Sequence, residues 1–452
     1  MNQARLRDTG RFQHQQSQSP STIGPDTSQA LLGILDPQNG YARPIRPAGG
    51  RSSATDCYTS SMGTSIDMTG LDRIIDIDHD AMTATAMAGV PLVTLSRALA
   101  AEGLELIGSF ELSRRTLGGA IAAPCFGPSI GRGAAYLSSS VQSVRLALAN
   151  GRLVSIRPEQ QNLLAAVRMS YGLLGAIVEA TLKVRPATVF HADHRRVSID
   201  DFARAAGSLA DADVGLQFYV MPHKDRAYLD IRRFSAEAQA GGKTPWAIKD
   251  WGESTVLPRV FNSLNKVVPI KGVRFGLIDS IGAATHDMVN TRFVSRGSNA
   301  TSESGRYRAI GTDRVRYTTW CFPATDFGVV LQAYRDFCLQ AFQQHGYRAD
   351  LPAMGYRLAQ DKHALLSPTL DEPMIALQTM STIEKGWDDF VIDVAEFAEH
   401  WGGVPLFNLT RSASVDHARH VYGRRRDMFN RIRRQLDPDN RLLNPFLAQY
   451  FL

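Results

Sequence analysis

Three glycine-rich passages interrupt a run of short strand-like segments, and their order constrains this chain more than any other feature. They are Pro47 to Ser53 (PAGGRSS), Thr116 to Gly127 (TLGGAIAAPCFG) and Ser170 to Val178 (SYGLLGAIV). Around them, Arg43 to Arg46, Ser65 to Met68, Arg73 to Ile77 and Thr83 to Val90 read as strands. Val141 to Ala149 turns at Asn150-Gly151 into Leu153 to Ile156, a hairpin signature. Helical spacing is confined to Ser28 to Leu35 and Val93 to Ala101. This texture is α+β. No G-x-x-x-x-G-K-[ST] occurs, and no G-x-G-x-x-G joins an early strand to a helix, so neither an NTPase phosphate loop nor a Rossmann unit is supported.

Glycine leaves backbone N–H groups unshielded, which is how loops hold diphosphates. Ala48, Gly49, Gly50, Arg51, Ser52 and Ser53 offer such N–H groups, two hydroxyls and one cation; Thr116 to Ala120 offers a second set. A Gly-Gly pair alone serves a tight turn as readily as a ligand.

Composition narrows the partners. Fifty Lys+Arg against 44 Asp+Glu give +6, enough to steer an anion but short of a nucleic-acid footprint. The basic run Arg424 to Arg426, with Arg431, Arg433 and Arg434, reads as a solvated helix face. Cys57, Cys125, Cys321 and Cys338 form no C-x-x-C, and the 11 His show no ligand spacing, so no metal site is expected. No run approaches the roughly 18 apolar residues of a membrane span, and no signal-peptide core opens the chain, so a cytoplasmic protein without stable membrane insertion is expected.

Beyond residue 188 the texture changes. Gly215 to Val220, Tyr317 to Phe322 and Ile375 to Thr379 read as strands and Phe327 to Gln344 as a helix, while 236–312 reads as polar, irregular insertions. The last residues combine a basic amphipathic helix, a stop at Asp437-Pro438 and an apolar end that should dock on the body.

Taken together, the loops resemble the vanillyl-alcohol-oxidase (PCMH-type) FAD family. The resemblance runs through Ile45 to Ser53, Ser65 to Ile74, Leu92 to Leu106, Thr116 to Ile121, Asn150 to Val154 and Gly172 to Leu182. The ending Leu436 to Leu447 (LDPDNRLLNPFL) is similar to the aldonolactone and alditol oxidase branch. This implies a two-subdomain PCMH-type FAD-binding domain plus an α/β substrate (cap) domain with an antiparallel sheet. The implied layout is a flexible tail over 1–27, the FAD domain over 28–187, the cap over 188–411 and a returning segment over 412–452.

Carried over by position, Ala48, Gly49, Gly50, Arg51, Ser52 and Ser53 would hold the diphosphate. Thr116, Gly118, Gly119, Ala123, Cys125, Phe126 and Gly127 would meet the ribityl chain and ring. Ile177 would meet the adenine end, and Phe407 would pack at the ring. That branch carries a flavin-bonded His where Arg51 stands, so FAD should be held non-covalently, as in the similar decaprenylphosphoryl-ribose oxidases. On the donor side Arg357 matches an Arg facing the flavin, while the accompanying Glu is replaced by Gly355. The usual Lys falls on Leu409 or Thr410. Gln378 and Asn408 are the remaining polar candidates.

The expected activity is oxidation of a C–OH (or C–N) group by hydride transfer to the flavin, with reoxidation by O2 or another acceptor. The alternatives are a dehydrogenase or epimerase half served by a partner reductase, and a flavin-fold protein without catalysis. A small-molecule donor and a monomer or homodimer complete the expectation.

Overall fold

The computed structural model describes residues 21–110, 112, 115–131, 133, 135–236, 243–289, 292–297 and 315–452. Among these, three sheets organise the chain. A small parallel sheet orders β1 (Ser21–Ile23), β3 (Thr64–Asp67) and β2 (Ile45–Ala48) side by side. Of the flexible tail expected over 1–27, residues 1–20 lie outside the described residues, while Ser21, Thr22 and Ile23 are ordered as a strand and pair with Thr64, Ser65 and Ile66.

A six-stranded antiparallel sheet contains β4 (Ile74–Asp78), β5 (Thr83–Met87), β6 (Leu104–Leu106), β7 (Val141–Ala147), β8 (Leu153–Ile156) and β9 (Ala176–Pro186). Between β1 and β2, Thr27 caps the helix Ser28–Leu35 by accepting from the Ala30 N–H at 3.2 Å. The second glycine passage also contains a short helix, Leu117–Ala122.

The eight-stranded antiparallel sheet is built from β10 (Val189–Val197), β11 (Gly215–Met221), β12 (Arg226–Phe234), β13 (Phe293–Arg296), β14 (Arg316–Pro323), β15 (Ala353–Leu358), β16 (Met374–Ser381) and β17 (Val404–Pro405). Its order is β13-β10-β12-β11-β15-β16-β14-β17. Strand alternation gives the sheet two characters. Leu216, Phe218, Val220, Trp320, Phe322, Ile375 and Leu377 pack beneath the helices Ile199–Asp211, Phe327–His345 and Trp387–His400. Tyr219, Met354, Tyr356, Cys321 and Ala376 lie on the other face and join the core of the first half. A one-residue slip would exchange these sets, so burial on both faces pins the register.

Of the stretch 236–312 expected to be irregular, 237–242, 290–291 and 298–312 lie outside the described residues, and the described part is largely helical: Lys243–Trp251, Leu257–Val267 and Lys271–Asp287. Leu257, Pro258 and Phe261 supply a buried helical stripe, masked in sequence by the interleaved Asn262, Ser263 and Asn265.

The chain end returns to the first half. The helix Val415–Leu436, broken by a left-handed Gly423 (φ 43°), leads to the terminal helix Pro445–Phe451, whose cap Asn444 accepts from the Leu447 N–H at 3.0 Å. The Asn444 amide also donates to the carbonyls of Asp56 and Thr59, both at 2.8 Å, fastening the tail to the first glycine loop.

Candidate functional site

The first and second glycine passages meet because nothing larger fits between them. A Cβ on Gly49 would stand 2.0 Å from the Thr116 hydroxyl oxygen, and one on Gly118 would stand 2.7 Å from the Ala88 Cβ. Arg51 adopts the left-handed region at φ 51°, unfavourable for a side chain by roughly 1–2 kcal/mol. Such a turn aims successive N–H groups into one concavity.

The result is a cleft open on one side, about 830 Å³ with the open solvent at its mouth included. Twelve expected residues line it: Ala48, Gly49, Gly50, Arg51, Ser52, Ser53, Thr116, Gly118, Gly119, Ala123, Ile177 and Asn408. The lining includes three guanidinium residues, Arg46, Arg51 and Arg115, and no carboxylate among the described residues. That charge, with the glycine-exposed backbone, fits a diphosphate. Gly118 is accounted for by its approach to Ala88.

Arg46, which the sequence reading passed over, holds the cleft together. It is 1% exposed and donates to the carbonyls of Cys57 at 2.7 Å, Leu442 at 2.6 Å, Gly172 at 3.4 Å and Tyr171. Burial lowers its pKa to about 10, which leaves it a cation at neutral pH. A buried Arg in the strand feeding a glycine loop was the available signal. Gly172 and Gly175 of the third passage also line the cleft, as do Cys57, Tyr58 and Tyr171.

Several expected contacts fall elsewhere. Cys125 and Phe126 are core residues, and Phe126 meets the rings of Tyr136 and Tyr356 edge-on at 6.1 and 5.9 Å. Gly127 is held by its approach to the Ser109 carbonyl, 2.6 Å from its would-be Cβ. Phe407 packs 4.7 Å from the Tyr450 ring and 5.4 Å from those of Tyr171 and Phe451, behind the cleft rather than in it.

Arg357 is the clearest correction. Its strand places Met354, Tyr356 and Leu358 toward the first half and Arg357 toward the opposite, helix-covered face. There it donates to the carbonyls of Ala210 at 2.6 Å and Val214 at 3.3 Å, at the end of the helix Ile199–Asp211.

Gln378 does face the first half, sharing parity with Ala376 and Met380. Thr319 lies beside it in register and was not anticipated from sequence. Both are buried, and among the described residues neither Gln378 Nε2 nor Thr319 Oγ1 has a hydrogen-bond partner; the same holds for Asn408 Oδ1 at the cleft. Each such atom costs about 1–3 kcal/mol unless something pairs with it. Tyr317 connects the two regions, its hydroxyl donating to the Ser52 carbonyl at 3.2 Å.

Comparison with known proteins agrees with this geometry. Residues 20–157 match the FAD binding domain family, and residues 180–450 match the D-arabinono-1,4-lactone oxidase family. The L-gulono-1,4-lactone dehydrogenase of Mycobacterium tuberculosis is 26% identical over 437 residues, covering 95% of each chain. The D-arabinono-1,4-lactone oxidase of Yarrowia lipolytica is 26% identical over 211 residues, covering 44% of this chain and 40% of its own. Cholesterol oxidase from Brevibacterium sterolicum shares the fold at a TM-score of 0.74 and 13% identity, covering 95% of this chain and 94% of that one.

Proposed function

The chain belongs to the D-arabinono-1,4-lactone oxidase family and is an FAD-dependent oxidoreductase of CH–OH donors; from that premise we propose that it holds FAD non-covalently in the first cleft and oxidises its donor between Asn408 and the sheet face of Thr319 and Gln378. The observation that carries this reading is the trio of buried, unpartnered polar atoms on Asn408, Thr319 and Gln378. A flavin edge and a donor hydroxyl would supply their missing partners.

In this reading the loop 48–53 and Thr116 to Gly119 bind the diphosphate and adjoining chain, with Arg46 and Arg51 neutralising its charge. Bound FAD supplies the hydride acceptor for the donor carbon. Gln378 Nε2 donates to the donor oxygen, while Asn408 Oδ1 and Thr319 Oγ1 fix orientation and exclude water. Arg51 presents a guanidinium where a flavin-bonded His would stand and offers no nucleophile, which supports a cofactor held without a covalent link. We assign 28–187 and 412–452 to cofactor binding and 188–411 to the donor. Four buried free thiols suit a reducing, cytoplasmic compartment, and the chain would act as a monomer or homodimer.

Purified protein should be yellow, and acid precipitation should release the colour into the supernatant. Colour retained in the pellet overturns non-covalent binding. Anaerobic bleaching by CH–OH donors, beginning with L-gulono-1,4-lactone and D-arabinono-1,4-lactone, tests the donor reaction. The rate of recolouring in air then separates O2 from another acceptor.

A further inference from the structure

The helices Leu257–Val267 and Lys271–Asp287 form a hairpin whose inner side is committed to packing: Leu257, Phe261, Phe275 and Ile278 are buried together with Val315 and Leu351. The outer side at the turn is left over. Val267 is 76% exposed, more than any other large apolar side chain among the described residues, and Ile270, Val273 and Leu277 are 65%, 53% and 42% exposed. We propose that this turn docks on an anionic lipid surface, with Val267, Ile270 and Val273 entering the headgroup boundary while Lys266 and Lys271 meet lipid phosphates.

The exposed turn is held in shape. Arg274 donates to the Val268 carbonyl at 3.3 Å and lies over the Phe275 ring at 4.9 Å, and Arg348 lies over the same ring at 4.7 Å. Pro269 fixes one backbone angle within the turn. The space outside is open: a Cβ added at Gly272 or Gly276 would meet nothing within 4 Å. Apolar side chains that recur at 267, 270, 273 and 277 and stay in water mark a surface that something else covers.

Charge says what covers it. Between Glu253 and Asp279 the sequence carries four cations, Arg259, Lys266, Lys271 and Arg274, and no carboxylate. Arg259, Lys266 and Lys271 are exposed. Lys271 reaches toward the end of the helix Phe327–His345, where its Nζ stands 3.2 Å from the place a Gly346 Cβ would take. A lysine lays its apolar stem along buried side chains and lifts its ammonium to the phosphate level, so apolar residues bracketed by lysines match the layering of a lipid surface. The negative potential of anionic lipid adds a salt-dependent attraction. A second copy joined through this turn would instead set Lys266 and Lys271 near their own counterparts, and like charges repel. No helix among the described residues is long and apolar enough to cross a membrane, so the contact is with the surface alone. None of these residues lines the glycine cleft, so docking and cofactor binding are separable.

The test sediments the FAD-loaded protein with vesicles of phosphatidylcholine alone or mixed in equal parts with phosphatidylglycerol. Partition onto the mixed vesicles should be at least about tenfold stronger, a difference of about 1.4 kcal/mol. It should weaken as added salt shortens the screening length from about 10 Å at 0.1 M to about 3 Å at 1 M. Val267→Ser with Ile270→Ser should weaken it about tenfold or more, and Lys266→Gln with Lys271→Gln should remove most of the salt dependence. Val329→Ser, which changes a valine 56% exposed on the helix Phe327–His345, should bind as the parent does. Flavin absorbance and the thermal midpoint should match the parent throughout, since every altered side chain is exposed. If the double serine variant is insoluble, Ile270→Gln alone is read the same way. Equal partition onto both vesicles, unchanged binding of the serine variant, or an equal loss in Val329→Ser overturns the proposal. So does a parent dimer that ignores vesicles and falls apart in Ile270→Ser, which gives the turn to a second copy. Protein that carries no flavin yet partitions onto the mixed vesicles defeats the cofactor reading and supports this one.

Discussion

The glycine-lined cleft and the face proposed for the donor are built from different materials. The cleft is made mainly of backbone: glycines at close approaches, a left-handed Arg51, and Arg46 gathering four carbonyls from three distant segments. The donor face is made of side chains on strands, where one residue in two reaches the site and its neighbour supports the opposite core. A backbone-built site is fragile to any added atom. A side-chain-built site tolerates change on one face and not the other.

The largest effect should come from Arg46→Met, which keeps volume but leaves the carbonyls of Tyr171, Cys57 and Leu442 without their buried cation. We expect a loss of about 4 kcal/mol or more in chemical denaturation, together with loss of bound flavin. A change under about 1 kcal/mol would show that the cleft does not depend on this residue. Gly49→Ala should come next. Its new Cβ would collide with the Thr116 hydroxyl at 2.0 Å, and overpacking of about 1–3 kcal/mol corresponds to FAD affinity weakened roughly tenfold to a hundredfold. Adding Thr116→Ala should recover part of that affinity, since the two residues share one contact. If the double variant is merely additive, the collision is not the cause.

The difference in materials also explains what could be read from sequence. Gly49 and Gly118 were legible because only glycine serves at such approaches, and their order along the chain with Gly50 and Gly119 is itself a pattern. Strand-like runs such as Gly215 to Val220 and Tyr317 to Phe322 were legible from the residues, while their antiparallel arrangement came only from the family resemblance. The facing of Arg357 was not legible. Strand periodicity gives parity but no absolute side, and β15 is buried on both faces, so nothing in its pattern says which face Arg357 takes. Phe407 failed for a related reason: an aromatic beside the cleft can prop its wall as well as line it. The helices of 243–287 were missed because their apolar stripes are narrow and broken by polar residues and Pro258. Thr319 carries no local signal and becomes visible only once β14 is paired with β16.

Arg357→Ala sharpens the comparison on the donor side. It removes bonds to Ala210 and Val214 and should lower stability by about 1–3 kcal/mol, while the rate of anaerobic flavin reduction by a working donor stays unchanged. A slowed reduction at full flavin loading would return Arg357 to the site and reverse the facing assigned to β15.

The smallest effect concerns pH and separates the two regions without touching either site. His223, in the turn after β11, packs edge-on against Phe342 at 5.8 Å. Burial, aided by the nearby Arg348 charge, lowers its pKa to about 4 from the ordinary 6.5. The unfolded chain therefore binds a proton that the folded chain refuses between these values, so this contribution is complete above pH 6.5 and is lost as pH falls toward 4. His223 is partly exposed, so solvent screening keeps the loss well under the roughly 1.4 kcal/mol per pKa unit of a fully buried group. Thermal midpoints should decline over that window in the parent protein and decline less in His223→Gln. Because His223 belongs to the donor sheet, FAD affinity should stay level between pH 7 and about 5.5 while the midpoint moves. Parallel loss of FAD affinity in the parent but not in His223→Gln would show that the two regions are coupled more tightly than their separate construction implies.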